Sequence, residues 1–161
     1  MKKLSNILIL ISLGLLCGSF IKRTGVQLPG LIFQENSIAF DSIQNYDLIS
    51  YKKMNTLERI KIIINAINKV DSDYNIRILG CSDSREKTKH IGLLRAEKVK
   101  KMLMQFNIKP SRIEIRDMRD SIATYSNKTI KGTKDLMDRE KMRRYNRVVL
   151  FVFERRGYES K

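Results

Sequence analysis

The sequence predicts an α+β domain, with one mixed β-sheet covered on one face by two main helices. Two features carry this prediction. Helix-spaced apolar positions alternate along the chain with short β-branched segments, and one of those segments is apolar throughout. The expected element order is β-α-β-α-β-(α)-β. Because helices of adequate length separate successive strands, some strand pairs should be parallel crossovers.

Each main helix is assigned from apolar residues three or four positions apart, as in Ile60, Ile64 and Ile67. Asn55 or Thr56 can cap that helix. The strands are assigned from alternating apolar and charged residues. The predicted elements, in chain order, are a strand at residues 31–33, a helix at 55–70, a strand at 75–80, a helix at 91–106, a strand at 112–116, a short helix at 135–144 and a strand at 148–153.

The last of these strands, residues 148–153, is apolar at every position, which is typical of a central strand buried on both faces. The polar residues 117–134 are expected to be irregular. Asn107 is a candidate cap at the end of the second main helix, because Asn tolerates the left-handed conformation that ends many helices. These assignments complete the predicted domain.

Positive charge is concentrated in the second half of the chain. The formal net charge is +15, and residues 76–161 carry 23 Lys and Arg against 11 Asp and Glu. Such a field attracts polyanions, including nucleic acid, anionic lipid and a carboxylate-rich cell-wall polymer. Because no aromatic stacking platform is interleaved with the basic residues, nucleic acid is not an expected partner.

The N-terminus has the pattern of an export signal, with two lysines before an apolar run that ends at Cys17. Residues 1–17 are assigned to this signal, and Cys17 resembles the lipidated first residue of a bacterial lipoprotein. Two alternatives stay open, namely cleavage after Ser19 without a lipid and retention of residues 4–21 as an uncleaved anchor. Each places the rest of the chain in the cell envelope and facing the periplasm, with an outer-membrane lipoprotein as the first expectation.

The remaining boundaries follow from composition. A linker that ends in a Pro-Gly turn occupies residues 18–30, the domain occupies 31–155, and a polar tail occupies 156–161. The chain has two cysteines without a CxxC pattern and a single histidine, which argues against a structural zinc site or a multi-histidine centre. No metal and no cofactor is therefore expected.

Catalysis is not expected either, because no nucleophile–base pair and no Gly-rich phosphate loop is present in the sequence. Cys81 stands close to Asp83, but a neighbouring carboxylate raises the pKa of a thiol rather than lowering it. His90 is expected at an exposed loop or helix start. The chain is therefore predicted to be a binding or structural protein rather than an enzyme.

Asp83 and Arg95 are the strongest candidates for a binding site. Asp83 follows the strand that ends at Gly80, and Arg95 lies in the first turns of the next helix, so the two can face each other across a shallow groove. Arg suits two-point recognition of a carboxylate, and an opposite charge beside it favours a zwitterion over a simple anion. The pair therefore suits a ligand that carries both an ammonium and a carboxylate.

Five segments of the chain follow one another in the order of a known family, namely Phe33–Ser37, Gly80–Asp83, Arg95–Val99, Asn107–Ile113 and Arg144–Val149. In these segments, the chain resembles the OmpA-like peptidoglycan-binding domains, the family of the OmpA C-terminal domain, the lipoprotein Pal and the flagellar stator protein MotB. The family binds the diaminopimelate residue of the peptidoglycan stem peptide without breaking bonds. The resemblance implies that Asp83 meets the ammonium of this ligand and Arg95 its carboxylate, with Asn146 and Arg147 near the same groove.

The expected function is that of a non-catalytic envelope protein that binds peptidoglycan and tethers a membrane or a complex to the cell wall. Its expected partners are peptidoglycan, a membrane reached through the N-terminal lipid or helix, and other envelope proteins. The alternative is an OmpA-like accessory subunit that has lost peptidoglycan binding and acts by protein contact through residues 117–144. That alternative would follow if Asp83 and Arg95 only paired with each other or capped the helix.

Overall fold

The computed structural model describes residues 28–42 and 55–156. The predicted signal, Cys17 and the possible anchor at 4–21 lie outside the described residues, as do most of the linker and the tail after residue 156. Within the described ranges, no helix is long and apolar enough to cross a membrane.

The elements of the described residues, in chain order, are β1 (Leu31–Ile32), α1 (Thr56–Lys69), β2 (Tyr74–Cys81), α2 (Ile91–Gln105), β3 (Ile113–Arg119), α3 (Asn127–Gly132), α4 (Leu136–Asn146) and β4 (Val148–Arg155), with a 3-10 turn at Pro110–Arg112. The strands form one mixed sheet in the order β1-β4-β2-β3. β4 runs antiparallel to both of its neighbours, whereas β2 and β3 are parallel and are joined through α2. This topology confirms the predicted fold class and the crossover.

The main hydrophobic core lies between the sheet and the two long helices, α1 and α2. Fully burying one of its large apolar side chains contributes roughly 1.5–3 kcal/mol. This core therefore holds both helices on one face of the sheet, as predicted. Its members include Ile60, Ile63 and Ile67 of α1, Ala96, Val99 and Leu103 of α2, and Ile76, Ile78, Val149, Phe151 and Phe153 of the sheet.

The predicted helix ends are largely confirmed. The Asn55 side chain accepts a hydrogen bond from the Glu58 N–H, and the Glu58 carboxylate accepts one from the Asn55 N–H, each at 2.9 Å. This reciprocal arrangement is a capping box, which satisfies two donors at the start of α1. Asn107 adopts φ 63° one residue beyond Phe106, which is the cap residue of α2.

The central strand β4 differs from its prediction on one face. Val149, Phe151 and Phe153 are buried in the main core, but Leu150 and Val152 on the opposite face are only half-buried. The expectation of burial on both faces was wrong because both long helices pack on the same side. A small cluster of Ile32, Cys81 and Val148 covers part of the other side.

The polar segment 117–134 is more regular than predicted. β3 continues to Arg119, because an edge strand needs only its inner neighbour for pairing and can carry charged side chains on its other positions. α3 begins after Ser126, whose side chain accepts a hydrogen bond from the Thr129 N–H, and it buries Ile130. A helix of six residues with one buried side chain is too short to produce a periodic pattern.

Close backbone contact between Gly80 and Gly92 sets the position of α2. A Cβ atom on Gly80 would lie 1.9 Å from the Gly92 carbonyl oxygen, and one on Gly92 would lie 2.6 Å from the Gly80 carbonyl oxygen. Only glycine lets the helix approach the strand so closely. Because Arg95 follows Gly92 by one turn, this contact also positions Arg95 at the end of β2.

Replacing Gly92 by alanine should therefore destabilise the domain. The added methyl group would overlap backbone atoms that cannot move independently, so we expect the free energy of unfolding in urea to fall by about 1–3 kcal/mol. Gly132→Ala is the matched control, because a Cβ atom added there would have no neighbouring atom within 4 Å. That variant should be unchanged or gain up to about 1 kcal/mol. Equal losses in both variants would contradict this account of the contact.

Candidate functional site

Arg95 is fully buried, and its side chain connects three segments of the chain. Nε donates to the carbonyl oxygen of Ser37 at 3.1 Å, Nη1 to that of Cys81 at 3.2 Å and Nη2 to that of Gln34 at 2.8 Å. The same guanidinium forms a two-point ion pair with Glu86, in which Nη1 lies 2.8 Å from Oε2. Arg95 therefore ties the turn after β1 and the end of β2 to the loop before α2.

The Glu86 carboxylate lies in a cradle of hydrogen-bond donors. The Asn36 N–H donates to Oε1 at 2.9 Å, and the Asp83 N–H donates to Oε2 at 3.0 Å. We call these two N–H groups together with the Arg95 guanidinium the carboxylate cradle. Asn36 adopts φ 50°, a left-handed conformation that asparagine tolerates. The cradle is thus a site whose chemistry is that of carboxylate recognition.

The Asp83 carboxylate is also buried and faces cations. Arg143 of α4 places Nη1 at 3.0 Å from Oδ1 and 3.1 Å from Oδ2. Arg85 adds its backbone N–H at 3.1 Å and its Nε at 3.4 Å from Oδ1. Asp83 and Arg95 are therefore linked through the Glu86 carboxylate, but their side chains are paired with separate partners of opposite charge. α2 begins after His90, so neither residue is the helix cap.

Arg147 and Asn146 have different surroundings. Arg147 is buried, donates to the Phe33 carbonyl oxygen at 3.3 Å and pairs with Glu140 at 3.0 Å. Glu140 in turn accepts from Arg85 at 2.6 Å, so Arg147 reaches Asp83 through a chain of ion pairs. Asn146 instead exchanges two hydrogen bonds with the backbone of Tyr125, at 2.9 and 2.8 Å. Its amide group holds the loop before α3 against the end of α4.

Four charged residues that pair with Asp83, Arg95 or Arg147, directly or through one another, were not predicted from the sequence, namely Arg85, Glu86, Glu140 and Arg143. Glu140, Arg143 and Arg147 are spaced three and four positions apart, so they share one face of a helix. That spacing was a usable signal for a charged surface on α4. Glu86 could have been suggested by the requirement that a buried Arg95 be paired.

The surroundings of the site shift the pKa of Glu140 and that of Cys81 in opposite directions. Burial alone would raise the pKa of Glu140, but hydrogen bonds from Arg85 and Arg147 and their charges outweigh it and lower that pKa. Burial raises the pKa of the Cys81 thiol to about 12, with the Asp117 carboxylate adding to the rise and Arg95 opposing it. The thiol is therefore protonated at neutral pH.

Within residues 28–42 and 55–156, His90 and the other metal-ligating residue types form no second site. His90 is exposed at the start of α2, as predicted, with Nδ1 3.0 Å from the Asp117 carboxylate. Among the residues that the structure describes, no group of His, Cys, Asp and Glu side chains is arranged to hold a metal ion.

The sequence matches no protein-family model and no curated protein. Solved structures do share its fold. A periplasmic-domain structure of Helicobacter pylori MotB superposes with a TM-score of 0.57 at 18% identity, covering 82% of this chain and 72% of that one. A C-terminal-domain structure of the same protein gives 0.56 at 20% identity, covering 80% and 85%. A MotB-like protein from Desulfovibrio vulgaris gives 0.51 at 18% identity, covering 78% and 71%. The predicted OmpA-like resemblance is confirmed at the level of the fold.

The ion pairs of Glu140 should make part of the stability depend on pH. Because its pKa is lower in the folded protein than in the unfolded chain, its contribution is present at neutral pH and is lost as the pH falls below about 4. Glu140→Gln should lower the free energy of unfolding at pH 7 by less than about 1 kcal/mol, since the side chain is partly exposed.

The measurement is urea unfolding of wild type and variant between pH 7 and pH 3, where the difference should disappear at the acid end. Glu97→Gln, on the polar face of α2, is the matched control, because it removes the same charge outside this group of ion pairs, and it should change the free energy of unfolding at pH 7 by less than about 0.5 kcal/mol. A Glu140→Gln difference that persists unchanged at pH 3 would contradict the assignment.

Proposed function

We propose that this domain binds peptidoglycan without catalysis, through the diaminopimelate of the stem peptide. The observation that carries the proposal is the carboxylate cradle beside Asp83. In the structure, the cradle holds the carboxylate of Glu86, and Asp83 faces a guanidinium 3.0 Å away. A ligand with a carboxylate and an ammonium offers the same two charges to the same two groups.

In this proposal, Arg95 and the N–H groups of Asn36 and Asp83 receive the ligand carboxylate. The Asp83 side chain receives the ammonium. Arg147 and Asn146 border the site, because Arg147 positions Glu140 and Arg85, and Asn146 holds the neighbouring loop. Two charges of opposite sign at fixed positions would favour diaminopimelate over ligands that carry only one of its two groups.

We further propose that the protein is anchored in the cell envelope and faces the periplasm. The MotB structures that share its fold are described as periplasmic domains. The export pattern of residues 1–17 supports the same location for this chain. Lipid attachment at Cys17 would anchor it in a membrane, with the outer membrane as the first expectation, and a retained helix at 4–21 would hold it in a membrane without lipid.

Two observations favour a second candidate, the accessory subunit that acts by protein contact. Arg95 and Asp83 are both buried and already paired within the chain, so the ion pairs can serve the fold alone. α4 also begins with two strongly exposed apolar side chains, Leu136 at 74% and Met137 at 83%. Under this candidate, the segment 117–144 would be the contact surface.

Co-sedimentation with peptidoglycan separates the two candidates. The full-length protein in mild detergent is incubated at moderate salt with sacculi whose stem peptides contain diaminopimelate. Sacculi that contain lysine at the same position are the ligand control, because lysine lacks the second carboxylate. Arg95→Lys removes the two-point geometry while keeping the charge, and Asp83→Asn removes the negative charge.

Wild type should pellet with diaminopimelate sacculi and not with lysine sacculi, and both variants should lose binding by about tenfold or more. Circular dichroism checks that each variant is folded. Lys131→Gln removes an exposed positive charge on α3 and should bind like wild type. A folded wild type that pellets with neither type of sacculus would refute the proposal in favour of the accessory subunit. Equal, salt-sensitive pelleting with both types would indicate non-specific charge.

A further inference from the structure

The side chains that pair with Arg95 and Asp83 carry the same two charges as the proposed ligand. Glu86 places a carboxylate in the carboxylate cradle, where four donors surround it. Arg143 places a cation against Asp83, where the ligand ammonium would lie. The carboxylate cradle and the Asp83 carboxylate are therefore each occupied by a side chain of the protein, and each of these side chains has the charge of the ligand group that would bind there.

We propose that Glu86 and Arg143 are internal competitors of the ligand that hold the site closed and set its affinity. This inference rests on the proposed function. For diaminopimelate to enter, Glu86 must leave the cradle and Arg143 must leave Asp83. The two residues belong to different elements, the loop 82–90 and the helix α4, so the closed state depends on both.

Burial shows why displacement is required. The side chains of Arg95, Glu86 and Asp83 are at most 1% exposed, whereas that of Arg143 is 12% exposed. No ligand atom can reach the cradle while the loop is in place. Arg143 is the most accessible of the four, so it is the group that an incoming ammonium meets first.

The loop is held down by contacts at its exposed surface. Ser84 Oγ lies 2.6 Å from the Asn127 side chain, and Arg85 lies 2.6 Å from Glu140. The Lys87 N–H donates to the Asn36 side chain at 2.7 Å. Exposed hydrogen bonds and ion pairs contribute little net free energy, because water replaces them when they break. Apart from the buried pairs of Glu86 and Asp83, whose partners the ligand would supply in turn, the contacts that hold the loop therefore add little to the cost of opening it.

The exchange leaves the charge of the site unchanged. A ligand carboxylate replaces that of Glu86 on Arg95, and the displaced Glu86 returns to water. Binding then costs the free energy of opening the site. The apparent Kd equals the Kd of the open form divided by the fraction of molecules that are open. Removing either competitor should raise that fraction and leave a buried charge that the ligand can pair.

Isothermal titration calorimetry of the full-length protein with the stem tripeptide that ends in diaminopimelate tests this inference. Arg143→Gln and Glu86→Gln should each bind about tenfold more tightly than wild type. Lys131→Gln removes one positive charge at an exposed position of α3 and should stay within about twofold of wild type. Arg143→Gln is the safer variant, because the Arg143 side chain is more exposed than that of Glu86.

Hydrogen exchange without ligand provides a second measurement. The amides of Asp83 and Lys87 donate to side chains at the closed site, so they should exchange faster in Arg143→Gln than in wild type. Unchanged exchange would overturn the inference. If wild type binds the tripeptide and neither variant binds more tightly, the inference fails while the proposed function stands. If no protein binds the tripeptide, both fail together.

Discussion

The buried guanidinium of Arg95 is the constraint on which the arrangement of the site depends. Removing a charge from water costs several kcal/mol unless other groups compensate for it. Here the compensation comes from Glu86 and from three backbone carbonyl oxygens on the turn after β1 and at the end of β2. Because every donor of the guanidinium is used, these segments are held in fixed positions around the first turns of α2.

Steric and electrostatic requirements meet at the same point of the fold. The contact between Gly80 and Gly92 brings α2 against the end of β2, and Arg95 lies one turn further along. Its Cζ atom lies 5.4 Å from the centre of the Phe33 ring, so the aromatic face adds a favourable cation–π contact. The helix could not move away from the strand without taking the guanidinium out of its carbonyl ligands. Close packing of the backbone therefore keeps the site in place.

The sequence predicted the features that depend on local pattern. The helices α1 and α2, the cap at Asn55 and the location of Asp83 and Arg95 at the end of β2 all follow from residues close together in the chain. The partners of the two charges did not follow in the same way. Arg143 lies 60 residues from Asp83, and their contact depends on how α4 packs, which no local pattern specifies. The end of β3 was missed for a related reason, because pairing with β2 rather than its own composition keeps it extended.

The ion pairs of Arg95 and Asp83 are compatible with a purely structural function and with ligand binding, because a buried charge needs a partner of opposite charge from either source. The attraction within a buried pair is largely offset by the desolvation of its two members, so the net contribution of the pair to stability is modest. Removing one member alone is costly, because a bare charge stays behind. Arg95 therefore requires a carboxylate but does not require the one from Glu86. The carboxylate that now pairs with Arg95 belongs to the loop 82–90, whose other contacts are largely exposed hydrogen bonds and ion pairs. A carboxylate from a ligand could therefore take its place.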